Sequence, residues 1–327
     1  MRALVCEAYG PIENLKIKDI PTPEPRAGEV LVRVGAAGVS FAAMLGVQGK
    51  HQNKPALPYV PGNEIAGHVV ALGEGVTNLK VGQRIATGGS QGGFAEYAVT
   101  IAANAVPIPE IMPYAEATNF PTLYPTAYGA LKWKANLQPG EVLLVHGAGG
   151  GSGLTGIEVG KAMGATVIAS AGGADKLRLA RRHGADHLID HRSEDLRERI
   201  KALTGGRGAD VVFDPVGGPA FEASLRATAP DGRIVVVGFA SGQVPQIPAN
   251  IVLVKNLSVI GLYWGAYRDI RPEAFARQFE VLFKWWEEGA LKPHTSHTFP
   301  LAEAGAAFAA LLSRQSTGKV ALIMEAP

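Results

Sequence analysis

The stretch VLLVHGAGGGSG, Val142 to Gly153, decides how the rest of the chain is read. Four apolar residues lead into HGAGGGSG, in which five of eight residues are glycine. Glycine costs backbone entropy, so such a run marks a place where some group must come very close to the main chain. The apolar run predicts a strand, and LTGIEVGKAMG behind the loop predicts a helix that stops at Gly164. The spacing is Ala148-x-Gly150-x-x-Gly153, or Gly147-x-x-Gly150-x-x-Gly153. Between a strand and a helix, this matches the dinucleotide fingerprint with alanine in its first position. The glycines would make the tight turn and admit a pyrophosphate to the helix N-terminus, where free N–H groups favour an anion. The candidate phosphate cradle is Gly147, Ala148, Gly149, Gly150, Gly151, Ser152 and Gly153.

From there the pattern repeats down the chain. TVIASAG, HLIDH, ADVVFDPVGG, GRIVVVGFASG and NLSVIGLYWG read as strands. ADKLRLARRHG, DLRERIKALTGG and PAFEASLRATAPDG read as the helices between them. Continuous apolar strands alternating with helices predict a doubly wound parallel sheet buried on both faces. The first 120 or so residues differ. GEVLVRVGAAGV, IAGHVVALG and FAEYAVT are short strand-like runs between Pro- and Gly-rich segments, an antiparallel, partly barrel-like pattern. RPEAFARQFEVLFKWWEEGAL predicts a long amphipathic helix with core aromatics. AEAGAAFAALLSRQSTGKVALIM predicts helix, turn and a closing strand that returns to the first domain.

An NAD site usually carries Asp or Glu at the end of the second strand, about 20 residues on, to bind the ribose hydroxyls. Here Ser170, Ala171, Gly172 and Gly173 fill that position, and Lys176 follows. A carboxylate would repel a 2′-phosphate, whereas a glycine turn with a lysine would accept it. One charge-assisted hydrogen bond is worth about 1.5–3 kcal/mol, on the order of a ten- to hundred-fold preference for NADPH.

The chain has 327 residues, enough for two domains, and a net charge of +2. That charge gives no electrostatic case for nucleic acid or a membrane surface as partner. The single cysteine, Cys6, rules out a disulfide framework or a thiolate zinc site within one chain. No run approaches the roughly 18 apolar residues of a membrane span, and MRALVCEAYGP does not read as a signal peptide. The expected location is cytoplasmic.

Several stretches in this order and spacing resemble one family over essentially the whole chain. They are GVSFAAMLGVQGKH, LPYVPGNEIAGHVVALGEGV, GGFAEYAV, TAYGAL, VLLVHGAGGGSGL, ADKLRLARRHGADHLID, TGGRGADVVFDPVGG and SRQSTGKVALI. The chain resembles the zinc-free NADPH:quinone oxidoreductases, the zeta-crystallin-like branch of the medium-chain dehydrogenase/reductase superfamily. The resemblance implies an α/β fold: a doubly wound Rossmann sheet plus a GroES-like, mainly antiparallel β domain. It implies residues 1–122 and 266–327 in the GroES-like domain and 123–265 in the cofactor domain. Zinc-dependent relatives carry metal ligands where this chain has Ser40 and Asn63; Glu64 remains, and a catalytic zinc wants three protein ligands. No metal is therefore expected.

The resemblance places Lys176 near the 2′-phosphate, with Arg314 beside it and His191 where relatives have tyrosine. It places Thr126 and the segment Gly238, Phe239 and Ala240 near the nicotinamide half. In the substrate region Ser40 and Ala43 replace a common Asn and Asp, and His51 replaces a common Tyr, so Ser40 and His51 are the only candidate proton donors. The implied activity is hydride transfer from NADPH to a quinone; an α,β-unsaturated carbonyl or thioester is the alternative acceptor. A homodimer is implied too, through NLSVIGLYWG as a sheet-edge strand.

Rival readings fit less well. Gly88 to Gly92 matches G-x-S-x-G, but Ser90 is followed by a strand and HGAGG comes after it rather than before. His183, His187 and His191 are spaced for one helix face, but Gly184 stops the helix, and His294 and His297 stand as a pair. A protein that binds NADPH without turning it over fits the same loop, and turnover with any acceptor separates the two.

Overall fold

The computed structural model describes residues 1–51, 54–89, 91–313 and 315–324. The chain divides into two compact units: Met1–Thr122 with Pro293–Pro327, and Leu123–Lys292.

The second unit is built on six strands: β1 (Val142–Val145), β2 (Thr166–Ala171), β3 (His187–Asp190), β4 (Ala209–Asp214), β5 (Thr228–Val236) and β6 (Ser258–Gly261). They are all parallel and lie in the order β3-β2-β1-β4-β5-β6. This is the dinucleotide-binding order, and it reverses direction between β1 and β4, where such sheets take ligands beyond the strand ends. Leu143, Leu144 and Val145 of β1 are fully buried, as a strand covered on both faces requires.

The helices are α1 (Leu123–Tyr128), continued by a π-helical stretch (Gly129–Lys134), then α2 (Gly151–Ala162), α3 (Ala174–Arg182), α4 (Leu196–Leu203), α5 (Gly218–Ala227), α6 (Ala249–Lys255) and α7 (Pro272–Glu287). Helix α2 lies close to the sheet because two residues on its sheet-facing side, Gly156 and Gly160, have no side chain. A β-carbon at Gly156 would stand 2.9 Å from Cδ1 of Phe213, and one at Gly160 would stand 2.4 Å from Cδ2 of Leu143. Asp195 caps α4, its carboxylate accepting the Glu198 N–H at 2.9 Å.

The structure departs from the sequence reading in two places. TAPDG, read as the end of a helix, instead opens β5. Asp231 adopts φ +60°, and the pairing of β5 with β4 shifts register there, so a bulge lets the strand begin early. The second crossing between units lies at Lys292, not at the 265/266 boundary expected above. The reason is packing. Trp264 stacks on Phe275 with centroids 4.8 Å apart, Trp285 of α7 meets Tyr128, and the Lys292 N–H donates to buried Glu158 of α2 at 3.1 Å. The same carboxylate accepts the Tyr124 hydroxyl at 2.6 Å and meets His183 Nδ1 at 2.5 Å. One buried acid thus ties α1, α2, the end of α3 and the chain at 292 together, and it gives His183 a structural task.

In the first unit the main sheet runs Thr295–Pro300, Lys319–Ile323, Glu29–Val39, Glu64–Leu72, Arg84–Gly88 and Ala105–Pro107, with Tyr97–Ile101 also paired to Glu29–Val39. It is antiparallel except at the pair formed by its first two strands. The closing strand pairs Val320 with Val39 and Ile323 with Ala36, so the tail completes the first unit. No helix among the described residues is long and apolar enough to cross a membrane.

Phe213 fills the space left by Gly156. Phe213→Ala is expected to lower unfolding free energy by about 3–5 kcal/mol. Urea unfolding followed by tryptophan fluorescence checks it, since Trp133, Trp264, Trp285 and Trp286 all lie in the second unit.

Candidate functional site: a dinucleotide cradle

The loop after β1 is shaped by missing β-carbons. Gly147 takes φ +61°, in the left-handed region. Its carbonyl accepts the Gly150 N–H at 2.9 Å and closes the turn. A β-carbon at Gly153 would stand 2.1 Å from that same carbonyl oxygen and 2.6 Å from Cα of Ala148. The first turn of α2 therefore rests directly on the loop. Helix α2 begins at Gly151 with Gly150 as its N-cap, and Gly150 offers no side chain to its first amides. The N–H groups of Gly151, Ser152 and Gly153 have no acceptor within the helix, which leaves a donor-rich, electropositive end. That end fits a pyrophosphate.

The loop is joined to β2. Ala148 N–H donates to the Ser170 carbonyl at 3.1 Å, and the aliphatic stem of Lys176 crosses Gly149, where a β-carbon would lie 2.7 Å from its Cβ and Cγ. At the end of β2, Gly172 and Gly173 form the turn into α3, with Gly173 at φ +94°. His191 lies beside this turn, its Nδ1 3.4 Å from Ser170 Oγ. Burial pushes the His191 imidazole below its ordinary value; Asp190 opposes that shift, and the charges of Arg192 and Lys176 add to it. The structure thus brings Ser170, Gly172, Lys176 and His191 together beside the cradle. Arg314 lies outside the described residues.

On the other side of the loop a second turn, Asp214 to Gly218, forms a wall that sequence reasoning did not single out. Asp214 is fully buried, and its Oδ1 accepts the N–H groups of Val216 at 2.7 Å and Gly217 at 2.9 Å. DPVGG carried the signal: an Asp bonding its own backbone two residues on, then paired glycines. Val216 approaches Gly147, where a β-carbon would meet its Cγ2 at 3.1 Å. The segment Gly238 to Ala240 is stitched to this turn, Ala240 N–H donating to the Pro215 carbonyl at 3.0 Å and Ser241 N–H to that of Val216 at 3.0 Å. Phe239 stands half out of the surface. Thr126 lies half-buried on α1, which packs on α2 through Tyr124 and Glu158. His146, just before the loop, is buried with Nε2 2.6 Å from Ser224 Oγ, and burial lowers its pKa.

The two substrate-side candidates belong to the first unit. Ser40 is the N-cap of the helix Phe41–Val47, its Oγ accepting the Ala43 N–H at 3.2 Å. His51 follows that helix, its amide bonded to the Leu45 carbonyl at 3.0 Å. The structure gives Ser40 a capping role and records no bond between these two side chains.

Because Gly153 carries the helix against the loop, Gly153→Ala must push the two apart. Dinucleotide affinity is expected to fall by more than about tenfold and stability by about 1–3 kcal/mol, the usual cost of overpacking. Cofactor titration by fluorescence and urea unfolding check the two effects.

Comparison with known proteins agrees with this geometry. Residues 26–110 match the alcohol dehydrogenase GroES-like domain, and residues 151–280 match the zinc-binding dehydrogenase family model. A quinone oxidoreductase-like protein 2 homolog of Nematostella vectensis is 39% identical, over 98% of this chain and 88% of its own. The Escherichia coli quinone oxidoreductase structure complexed with NADPH superposes with TM-score 0.92 at 30% identity, covering 99% of this chain and 100% of that one. A CurK enoyl reductase structure gives TM-score 0.89 at 28% identity, with 99% of each chain covered. The zinc of the second family model's description does not fit this chain. Ser40 is a helix cap, Asn63 offers an amide, and Glu64 is buried in an ion pair with Lys319. A lysine thus holds the one carboxylate of that set. By its two matched domains, its sheet order and its relatives, the chain belongs to the zinc-free quinone oxidoreductase branch of the medium-chain dehydrogenase/reductase superfamily.

Proposed function

We propose that this protein is an NADPH-dependent oxidoreductase that delivers hydride to a quinone without a metal. The observation that carries the reading is the turn after β2. Where an NAD enzyme presents a carboxylate to the ribose, this chain has two glycines, with Lys176 and His191 converging on the space beside them. The amides from Gly147 to Gly153 hold the pyrophosphate. Lys176 and His191 receive the 2′-phosphate. Thr126 and the segment Gly238–Ala240 flank the nicotinamide half. When bound, NADPH supplies the hydride. The chain's own contribution is positioning and exclusion of water. Hydride transfer leaves a hydroquinone anion, which takes its proton from solvent on release, so the capping role of Ser40 is compatible with turnover.

The names of the relatives support a quinone as acceptor. The likeness to an enoyl reductase favours an α,β-unsaturated carbonyl as the second reading. That reaction needs a proton at carbon, and His51 is the side chain to test for it. The acceptor is a small molecule in both cases. The proposed compartment is the cytoplasm, with which a single, buried and unpaired Cys6 agrees.

We also propose a homodimer. Strand β6 ends the sheet, paired on one side only with β5. Close to it in sequence, Leu253, Val254 and Tyr263 are 75%, 76% and 64% exposed, an apolar surface that an open sheet edge ordinarily hides. Sedimentation velocity is expected to show a dimer, and Val254→Asp is expected to shift it toward monomer. A monomer at micromolar concentration contradicts the proposal.

The cofactor assignment is tested by Lys176→Ala. The ratio of kcat/KM for NADPH over NADH is expected to fall by about ten- to a hundred-fold, the worth of one charge-assisted bond. An unchanged ratio contradicts it.

A further inference from the structure

Arg192 was not among the residues that the sequence singled out, and it occupies the most telling position near the cradle. A β-carbon on Gly172 would stand 2.5 Å from its Nε and 3.1 Å from its Cζ, and one on Gly173 would stand 3.3 Å from Nη1. The guanidinium therefore lies over the bare turn that replaces the ribose-binding acid. Any side chain at Gly172 would displace it. The stem of Lys176 crosses Gly149, and its charge reaches His191, which borders Gly172.

The acids nearby are committed elsewhere. Asp190 accepts the Arg192 backbone N–H at 3.0 Å and the Gly173 N–H at 3.2 Å, and the first of these bonds does most to hold its carboxyl below the usual carboxylate range. Glu194 receives the Asp190 N–H at 2.8 Å and pairs with Arg199 at 2.5 Å. Asp175 pairs with Arg178. Arg192 itself makes no ion pair among the described residues. These bonds, with those of the Ser193 and Glu194 amides to the Asp190 carbonyl at 3.0 and 2.9 Å, close the 190–194 turn and set Arg192 over the glycines.

We propose that Arg192 is a specificity-determining residue for the phosphorylated ribose. Its guanidinium takes the 2′-phosphate from the Gly172 side while Lys176 takes it from the Gly149 side. The inference rests on the NADPH reading above and goes beyond it by assigning a second, forked cation. A guanidinium offers two parallel N–H donors to a phosphate, which an ammonium cannot match. Gly172 acquires a reason of its own: it is the seat of the guanidinium.

The test uses two probes that differ only by the 2′-phosphate, 2′,5′-ADP and 5′-AMP. Their dissociation constants are measured by calorimetry on the whole chain. The wild type is expected to bind 2′,5′-ADP much more tightly than 5′-AMP. Arg192→Ala is expected to weaken 2′,5′-ADP by about ten- to a hundred-fold, with 5′-AMP unchanged within about twofold. Arg192→Lys is expected to fall between the two. Arg192 is exposed, so these variants should keep the fold, and circular dichroism checks that. If Arg192→Ala binds 2′,5′-ADP like wild type, or loses both probes equally, the assignment of Arg192 is overturned. If the wild type itself does not prefer 2′,5′-ADP, the NADPH reading is overturned, and this proposal with it.

Discussion

The contact of Gly153 with the Gly147 carbonyl sets the rest of the site. Helix α2 can start directly on the loop only because Gly153 carries no side chain and because Gly147 accepts a left-handed conformation. With the helix seated there, its first amides face outward from the end of β1, beside the point where the sheet reverses order. The same seating lets Lys176 cross Gly149 and lets Val216 close on Gly147 from the other side. The anion site is thus a product of backbone packing, and the charged side chains only select what enters it.

Selection then depends on the absence of an acid. A carboxylate at the end of β2 would have paired with Arg192 or Lys176 and repelled a second phosphate. Instead Asp190, one strand over, is spent on backbone amides and serves to shape a turn. The same economy appears in the first unit, where Glu64 is held by Lys319 and Ser40 caps a helix. Residues that could have made a metal site are committed to ordinary structure. What remains for chemistry is a positioned dinucleotide, which suits acceptors that need hydride more than they need acid–base help.

The parts of this account that could be read from the sequence are those fixed by local pattern. VLLVHGAGGGSG announced strand, loop and helix, and the apolar runs that follow announced a parallel sheet. The glycines at 172 and 173 and the lysine at 176 were legible because their spacing from the loop is short. Arg192 was not, because its meeting with Gly172 depends on β3 lying beside β2, and strand adjacency is not written in spacing. Asp214 was passed over for a similar reason: its bonds are local, but the closeness of Val216 to Gly147 is not. TAPDG was misread because a bulge at Asp231 starts β5 before the apolar run begins. The boundary at Lys292 was missed because it depends on a buried glutamate, Glu158, that collects partners from three distant segments.

The most direct test of the central claim is the initial rate of NADPH oxidation in EDTA, with an ortho-quinone and with a simple enone, each repeated with NADH. The account predicts quinone turnover with NADPH, little with NADH, and no effect of the chelator. Tight NADPH binding without turnover of either acceptor, or a rate abolished by EDTA, would contradict it.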